Sequence, residues 1–249
     1  MITDRLKYEV QTLSHPGKVR TNNEDALFAN AGTGVFAVAD GMGGHERGEW
    51  ASAAIVDGLA AVRGGDFDSL LDGVSAAIHG ANSVIYSEAQ EKSVSMGSTA
   101  VALVLKDDRF AVMWAGDSRA YVLRDGVLHQ LSRDHTRVQE MVDRGLLTAE
   151  EGLHHPMGHV LSRAVGVGKE LELDGIADAP SAGDIFLLCS DGLYGVVTDD
   201  EISSLLAASP IAEAANSLID LCLARGAPDN VTVVLVRVSE ATVLSFGAA

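Results

Sequence analysis

The chain alternates between short apolar runs that stop at an aspartate and longer amphipathic stretches. The first run, Val35-Phe36-Ala37-Val38-Ala39, leads into Asp40-Gly41-Met42-Gly43-Gly44-His45. An apolar run without alternation, containing β-branched and aromatic members, predicts a strand buried on both faces. Three similar runs follow. Phe110–Ala115 ends in Gly116-Asp117, Ile185–Ser190 ends in Asp191-Gly192, and Val231–Val238 is opened by Asp229-Asn230. Asp-Gly is also an ordinary turn pair, so a single such aspartate is only punctuation. Aspartates at the tips of four buried strands predict a shared site. Stacked sheets would gather the tips at one edge, and carboxylates crowded there are costly unless cations occupy the cluster.

Helical spacing predicts helices at Glu46–Val62 and Asp66–Gln90, the second with Leu70, Leu71, Val74, Ile78 and Ile85 near one face. Further helices are predicted at Thr136–Arg144, Thr148–Glu151, Asp199–Ala207 and Ile211–Arg225. Strands are predicted at Lys7–Leu13, Thr99–Leu105, Ala120–Leu123 and Leu171–Ala177, with Asp107-Asp108 and Asp125-Gly126 as hairpin turns. Lys18–Ala26 reads as a polar, charge-rich connection. Ser132–Gly168 differs in texture and reads as an insertion over the main body. Without a repeat, a low-complexity tract or a linker, one domain over residues 1–249 is expected.

Composition narrows the function. Hydrophobic residues make up 47% of the chain, and 35 acids stand against 18 bases for a net charge of −17. That describes a globular chain and argues against nucleic acid or an anionic membrane surface as a partner, since either requires a basic face. Cys189 and Cys222 lie inside apolar segments, the usual place for buried reduced thiols, which favours a cytoplasmic setting. No run approaches the ~18 apolar residues of a membrane span, and the first residues carry no signal-peptide pattern.

Several hydrolase chemistries are excluded. Neither cysteine is followed by a phosphate loop and arginine, and no Gly-x-Ser-x-Gly elbow or P-loop occurs. His155 and His159 have a zinc-helix spacing, but Pro156 and Gly158 intervene without a glutamate in place, so an exposed loop is expected. Oxygen ligation remains: Asp40, Asp117, Asp191 and Asp229, with Asp25 and the Gly41 carbonyl as further candidates. Such ligands select Mg²⁺, Mn²⁺ or Ca²⁺. Two ions about 3.5–4 Å apart can make hydroxide from a shared water near neutral pH. Arg20 is suited to hold phosphate oxygens in a fork, or to pair locally with Glu24 four residues on.

Six ordered motifs carry a resemblance: Arg20-x-x-x-Glu24-Asp25-Ala26, Asp40 to His45, Gly97-Ser98-Thr99, Gly116-Asp117-Ser118-Arg119, Ser190-Asp191-Gly192-Leu193 and Asp229-Asn230-Val231-Thr232. From Gly17 to Val238 the chain resembles the metal-dependent Ser/Thr protein phosphatases of type 2C, in their short bacterial form. The resemblance implies an α+β fold, a four-layer α-β-β-α sandwich of two mostly antiparallel sheets. It implies two Mn²⁺ or Mg²⁺ ions. Asp40 would bridge both, Asp191 and Asp229 would complete one site, and the Gly41 carbonyl would serve the other, with Glu24 and Asp25 holding waters. Asp117, with Asp191, would match a third, weaker ion. Arg20 would bind the substrate phosphate, His45 would act as the general acid, and residues 132–168 would form a flap. The implied partners are phosphorylated proteins and a Ser/Thr kinase acting in opposition, with the phosphatase a monomer. The rival readings are a non-catalytic phosphoprotein-binding regulator and a small-molecule phosphomonoesterase.

Overall fold

Five consecutive apolar residues in Val35–Ala39 are needed because this strand is covered on both sides. Val35, Ala37 and Ala39 pack under helices, whereas Phe36 and Val38 face a second sheet. A computed structural model describes residues 6–44, 46–153 and 155–240. Its strands are β1 (Leu6–His15), β2 (Asp25–Asn30), β3 (Val35–Met42), β4 (Gly97–Ser98), β5 (Ala100–Lys106) and β6 (Arg109–Ala115). They continue with β7 (Arg119–Arg124), β8 (Val127–Gln130), β9 (Asp174–Asp178), β10 (Ile185–Cys189) and β11 (Val231–Glu240). The helices are α1 (Glu46–Ala60), α2 (Phe67–Lys92), α3 (Arg137–Asp143), α4 (Ala149–Leu153), α5 (Asp191–Tyr194), α6 (Asp199–Ala208) and α7 (Ile211–Ala224).

The strands form two sheets, ordered β1-β11-β10-β7-β8 and β2-β3-β5-β6-β9, with β4 attached to β3. Strand pairing within both is antiparallel. Three apolar layers hold the sandwich together. The middle one interdigitates Phe36, Leu103, Phe110, Phe186 and Val236 between the sheets. Under α1 and α2 lies a second, with Ile55, Leu70, Ile78 and Ile85. Under α6 and α7 lies a third, with Leu187, Ile202, Leu218 and Leu235. This is the expected four-layer α-β-β-α arrangement.

Local chemistry fixes the ends of the elements. The Asp66 carboxylate accepts from Ser69 N at the start of α2, and Thr198 with Glu201 forms a capping box at the start of α6. Asp125 and Gly126 both take positive φ, as a two-residue hairpin between β7 and β8 requires. Among the departures from expectation are the following three. Lys18–Ala26 is not wholly a connection, because β2 begins at Asp25 inside it. The strand predicted at Leu171–Ala177 starts instead at Asp174, where pairing with β6 begins; Leu171 and Leu173 pack beside the helix-covered core. Asp191-Gly192 opens the short α5 directly, without a separate turn. Residues 132–168 carry α3 and α4 and rejoin the body through the Ser98–Val165 bridge. No helix among the described residues is long and apolar enough to cross a membrane.

Candidate metal and phosphate site

Strand parity aims Asp40 into the site. Phe36 and Val38 face the opposite sheet, so Asp40, two residues on, emerges on the same face where the apolar filling stops. Its backbone is held from both sides. Asp40 N donates to Thr99 Oγ1 (3.0 Å), Thr99 N donates to Asp40 O (2.8 Å), and Ser98 Oγ donates to the same carbonyl (3.0 Å). Thr99 Oγ1 in turn lies 2.6 Å from Ser118 Oγ, which ties the Gly97-Ser98-Thr99 motif to the Gly116–Arg119 motif.

Asp117 follows a glycine with φ of +110°, and a Cβ at Gly116 would lie 2.6 Å from Thr99 Cβ, so no other residue fits this turn. The Asp117 carbonyl accepts from Tyr194 Oη (2.9 Å), and the Arg119 guanidinium stacks over the Tyr194 ring while pairing with Asp134 (2.7 Å). Gly192 brings the last two motifs together: a Cβ there would lie 1.9 Å from Asn230 O. Asp191 and Asp229 are therefore forced close. Asn230 then fastens the loop that carries Arg20 and Glu24. Its Oδ1 accepts from Glu24 N (2.8 Å), and its Nδ2 donates to Pro16 O and Asn22 O (2.9 Å each).

One cleft of about 510 Å³ results, lined by Arg20, Glu24, Asp40, Gly41, Asp117, Asp191, Asp229 and Asn230. Asp25 lies behind them, directly opposite Asp40 in the β2–β3 register, and accepts from Ser190 Oγ (2.7 Å). His45 lies outside the described residues. Arg20 does not pair with Glu24; its Nη2 meets Asp229 Oδ2 at 2.7 Å. His159 lies on the exposed cleft wall, while His155 Nδ1 accepts from Met157 N within its own loop, so the two histidines do not share a ligand role. Arg163 also lines the cleft, paired with Asp174 (2.5 Å). His159 was read only as a loop residue, and the cleft position of Arg163, the Tyr194 contact and the clamp made by Asn230 were not singled out by the sequence.

The electrostatics are those of an uncompensated carboxylate cluster. Burial, then the nearby Asp191 and Asp134, pushes Asp117 up to about 8. Burial raises Asp25 to about 7 against the hydrogen bond from Ser190. Burial and then Asp229 raise Asp191 to about 6. Asp40 is held well above the usual carboxylate range by burial and then by Asp25 and Asp191. Asp25 Oδ1 and Asp191 Oδ1 are buried with no hydrogen-bond partner. Unsatisfied anionic oxygens at this density fit hard divalent cations. Among the described residues no group of three His, Cys, Asp or Glu side chains is placed to hold a metal ion; Asp229 is turned onto Arg20 and Asp25 onto Ser190. The shared burial and mutual repulsion weigh more, because rotating a side chain is cheap and assembling the strand ends is not.

Comparison with known proteins agrees. A family model described as Protein phosphatase 2C matches residues 13–141. The Mycobacterium tuberculosis Ser/Thr protein phosphatase PstP is 41% identical over 243 residues, covering 95% of this chain and 46% of that protein, so the chain spans about half the length of this curated relative. The Listeria monocytogenes Ser/Thr phosphatase stp is 33% identical over 233 residues, covering 89% of this chain and 92% of that one. A solved structure of the PstP catalytic domain in complex with two manganese ions superposes with a TM-score of 0.83 at 40% identity, covering 94% of this chain and 99% of that chain. PppA of Pseudomonas aeruginosa superposes with a TM-score of 0.88 at 41% identity, covering 93% and 98%. On these matches, made along nearly its whole length, the chain belongs to the protein phosphatase 2C family.

Proposed function

We propose that the protein hydrolyses phosphoserine and phosphothreonine in proteins, opposing a Ser/Thr kinase. The observation that carries this reading is the convergence of Asp40, Asp117, Asp191 and Asp229, from four separate strand ends, into one cleft with Arg20. The names of the curated relatives and the two manganese ions in the PstP structure support it. In this reading Asp40, Asp191 and Asp229, with the Gly41 carbonyl, hold two Mn²⁺ or Mg²⁺ ions; Glu24 and Asp25 orient waters, and Asp117 with Asp191 serves a third, weaker ion. When bound, the ions supply a water nucleophile at neutral pH and positive charge opposite the phosphoryl oxygens.

The chain's own residues do the rest. Arg20 leaves Asp229 and takes two phosphoryl oxygens in a fork, which fixes the phosphorus in line with the attacking water. His45 gives a proton to the departing seryl or threonyl oxygen. Thr99 and Ser98 keep the Asp40 backbone in place through the cycle. Residues 1–249 act as one catalytic domain with 132–168 as the flap beside the cleft. Free, buried Cys189 and Cys222 support a reducing, cytoplasmic compartment.

The test is phosphate release from a phosphothreonine peptide with Mn²⁺, with Mg²⁺ and with chelator. Release should stop in chelator and return with Mn²⁺; undiminished release in chelator contradicts the reading. Faster turnover of sugar phosphates than of phosphopeptides would favour a small-molecule phosphomonoesterase instead.

A further inference from the structure

The cleft has two chemically different walls. One carries the carboxylates and Arg20. On the other, Met42, Met96, Leu161, Ala164 and Val167 make an apolar patch bordered by Ser95, His159, Ser162 and Arg163. These residues come from separate segments: the end of β3, the approach to β4, and the stretch in which residues 132–168 rejoin the body. They make one continuous surface. A Cβ at Gly97 would lie 2.9 Å from Val167 Cγ2 and 3.0 Å from Met42 Cε, so both side chains cover the same glycine. Met96 and Ala164 are nearly buried behind them, whereas Val167 is 59% exposed.

We propose that this wall is a subsite for an aliphatic side chain adjacent to the phosphorylated residue of a protein substrate. The proposal rests on the phosphoprotein reading above and deepens it. A cavity of about 510 Å³ far exceeds what a phosphate group fills, and cavities of roughly 300–1,000 Å³ accommodate much larger ligands. With the phosphate fixed at Arg20 and the carboxylates, the residues flanking it must cross the remaining space. An aliphatic side chain laid on Met42 and Val167 removes apolar surface from water on both partners. An acidic flanking residue finds no free arginine on this wall, because Arg163 is already paired with Asp174.

The experiment compares kcat/KM, in Mn²⁺, for phosphothreonine peptides that carry leucine or glycine on either side of the phosphoresidue. Leucine-flanked peptides should be preferred by about tenfold, the lower end of what an apolar pocket contact discriminates, and mainly through KM. Val167→Ser should bring the ratio close to one, with Val167→Thr in between. Leu146→Ser removes a comparably exposed apolar residue (68%) that does not line the cleft, and should keep the wild-type ratio. Equal turnover of both peptides by the wild type, or an unchanged ratio in Val167→Ser, overturns the subsite while leaving the phosphatase reading intact. Failure to release phosphate from any peptide overturns that reading and the subsite with it.

Discussion

Asp25 on β2 and Asp40 on β3 stand directly opposite each other in an antiparallel register, on the face turned between the two sheets. Like charges in that position destabilise a sheet, and burial in the sandwich makes the repulsion worse. Such a pair marks a place where the fold carries strain that a bound cation relieves. Asp40→Asn should therefore raise the melting temperature in chelator, contrary to the usual effect of changing a buried polar group. With Mn²⁺ at about 100 times its Kd, the wild type should gain about 2.7 kcal/mol, or roughly 5–10 °C. Asp40→Asn should lose most of that gain along with activity. Calorimetry with and without Mn²⁺ checks this; an equal gain in the variant would remove Asp40 from the ligand set.

The ion pair between Arg20 and Asp229 is the movable part of the site. Their side chains are 57% and 37% exposed, and a pair so exposed contributes about 0–1 kcal/mol. Arg20 can thus be exchanged from Asp229 to a substrate phosphate at little cost. Arg20→Ala should change stability by less than about 1 kcal/mol. It should lower kcat/KM on a phosphopeptide by roughly tenfold to a hundredfold, the range for hydrogen bonds to a charged group. Arg20→Lys should restore only part, since an ammonium cannot grip two oxygens in a plane. Steady-state kinetics beside urea unfolding separates the two effects.

Asp40 was legible in the sequence because its position follows from parity: Phe36, Val38 and Asp40 share one face of an uninterrupted run. The layering was legible for the same reason, since runs without alternation must be covered twice. β2 was not, because it is an edge strand that opens on Asp25 and carries only Leu27 and Phe28 as large apolar residues. The partner of Arg20 could not be read locally: Glu24 is near in sequence, but Asp229, 209 positions away, is near in space. Asn230 was hidden for a further reason. Its partners are backbone groups of a distant loop, and backbone groups leave no mark on sequence.

Asn230 is expected to matter more for stability than its size implies. It is 5% exposed and spends its whole amide on the loop from Pro16 to Glu24. Asn230→Ala leaves Glu24 N, Pro16 O and Asn22 O without that partner, at a cost of about 1–3 kcal/mol. Asn230→Asp should be no better despite its identical shape, because a carboxylate has no N–H for the two carbonyls and adds charge beside Asp229. Urea unfolding midpoints check the order; a fully stable Asn230→Asp would mean that the two carbonyl contacts contribute nothing.

His45 is assigned its role by resemblance alone, so its test must isolate proton donation. His45→Ala should slow hydrolysis of a phosphoserine peptide by roughly 10²–10⁴-fold. An aryl phosphate, whose leaving group needs no proton, should lose much less. Equal losses on both substrates would show that His45 does something else.

A separate pH effect is expected far from the cleft. Glu201 accepts from Thr198 N and pairs with Arg225, and the Arg225 hydrogen bond followed by the Thr198 backbone N–H lowers its carboxyl to about 2. A carboxyl held below its unfolded value of 4.5 binds its proton less readily in the folded protein than in the unfolded chain. Its contribution to stability is therefore complete above that pH and is lost as the pH falls from about 4.5 through about 2. Glu201→Gln should lower stability at pH 7 and flatten the acid limb of the stability profile, with the difference from wild type vanishing near pH 2. High salt should shrink the effect, since the pair faces solvent. Unfolding midpoints measured from pH 7 down to pH 2 at low and high salt test the sign; a difference that widens towards acid would contradict the capping role of Glu201.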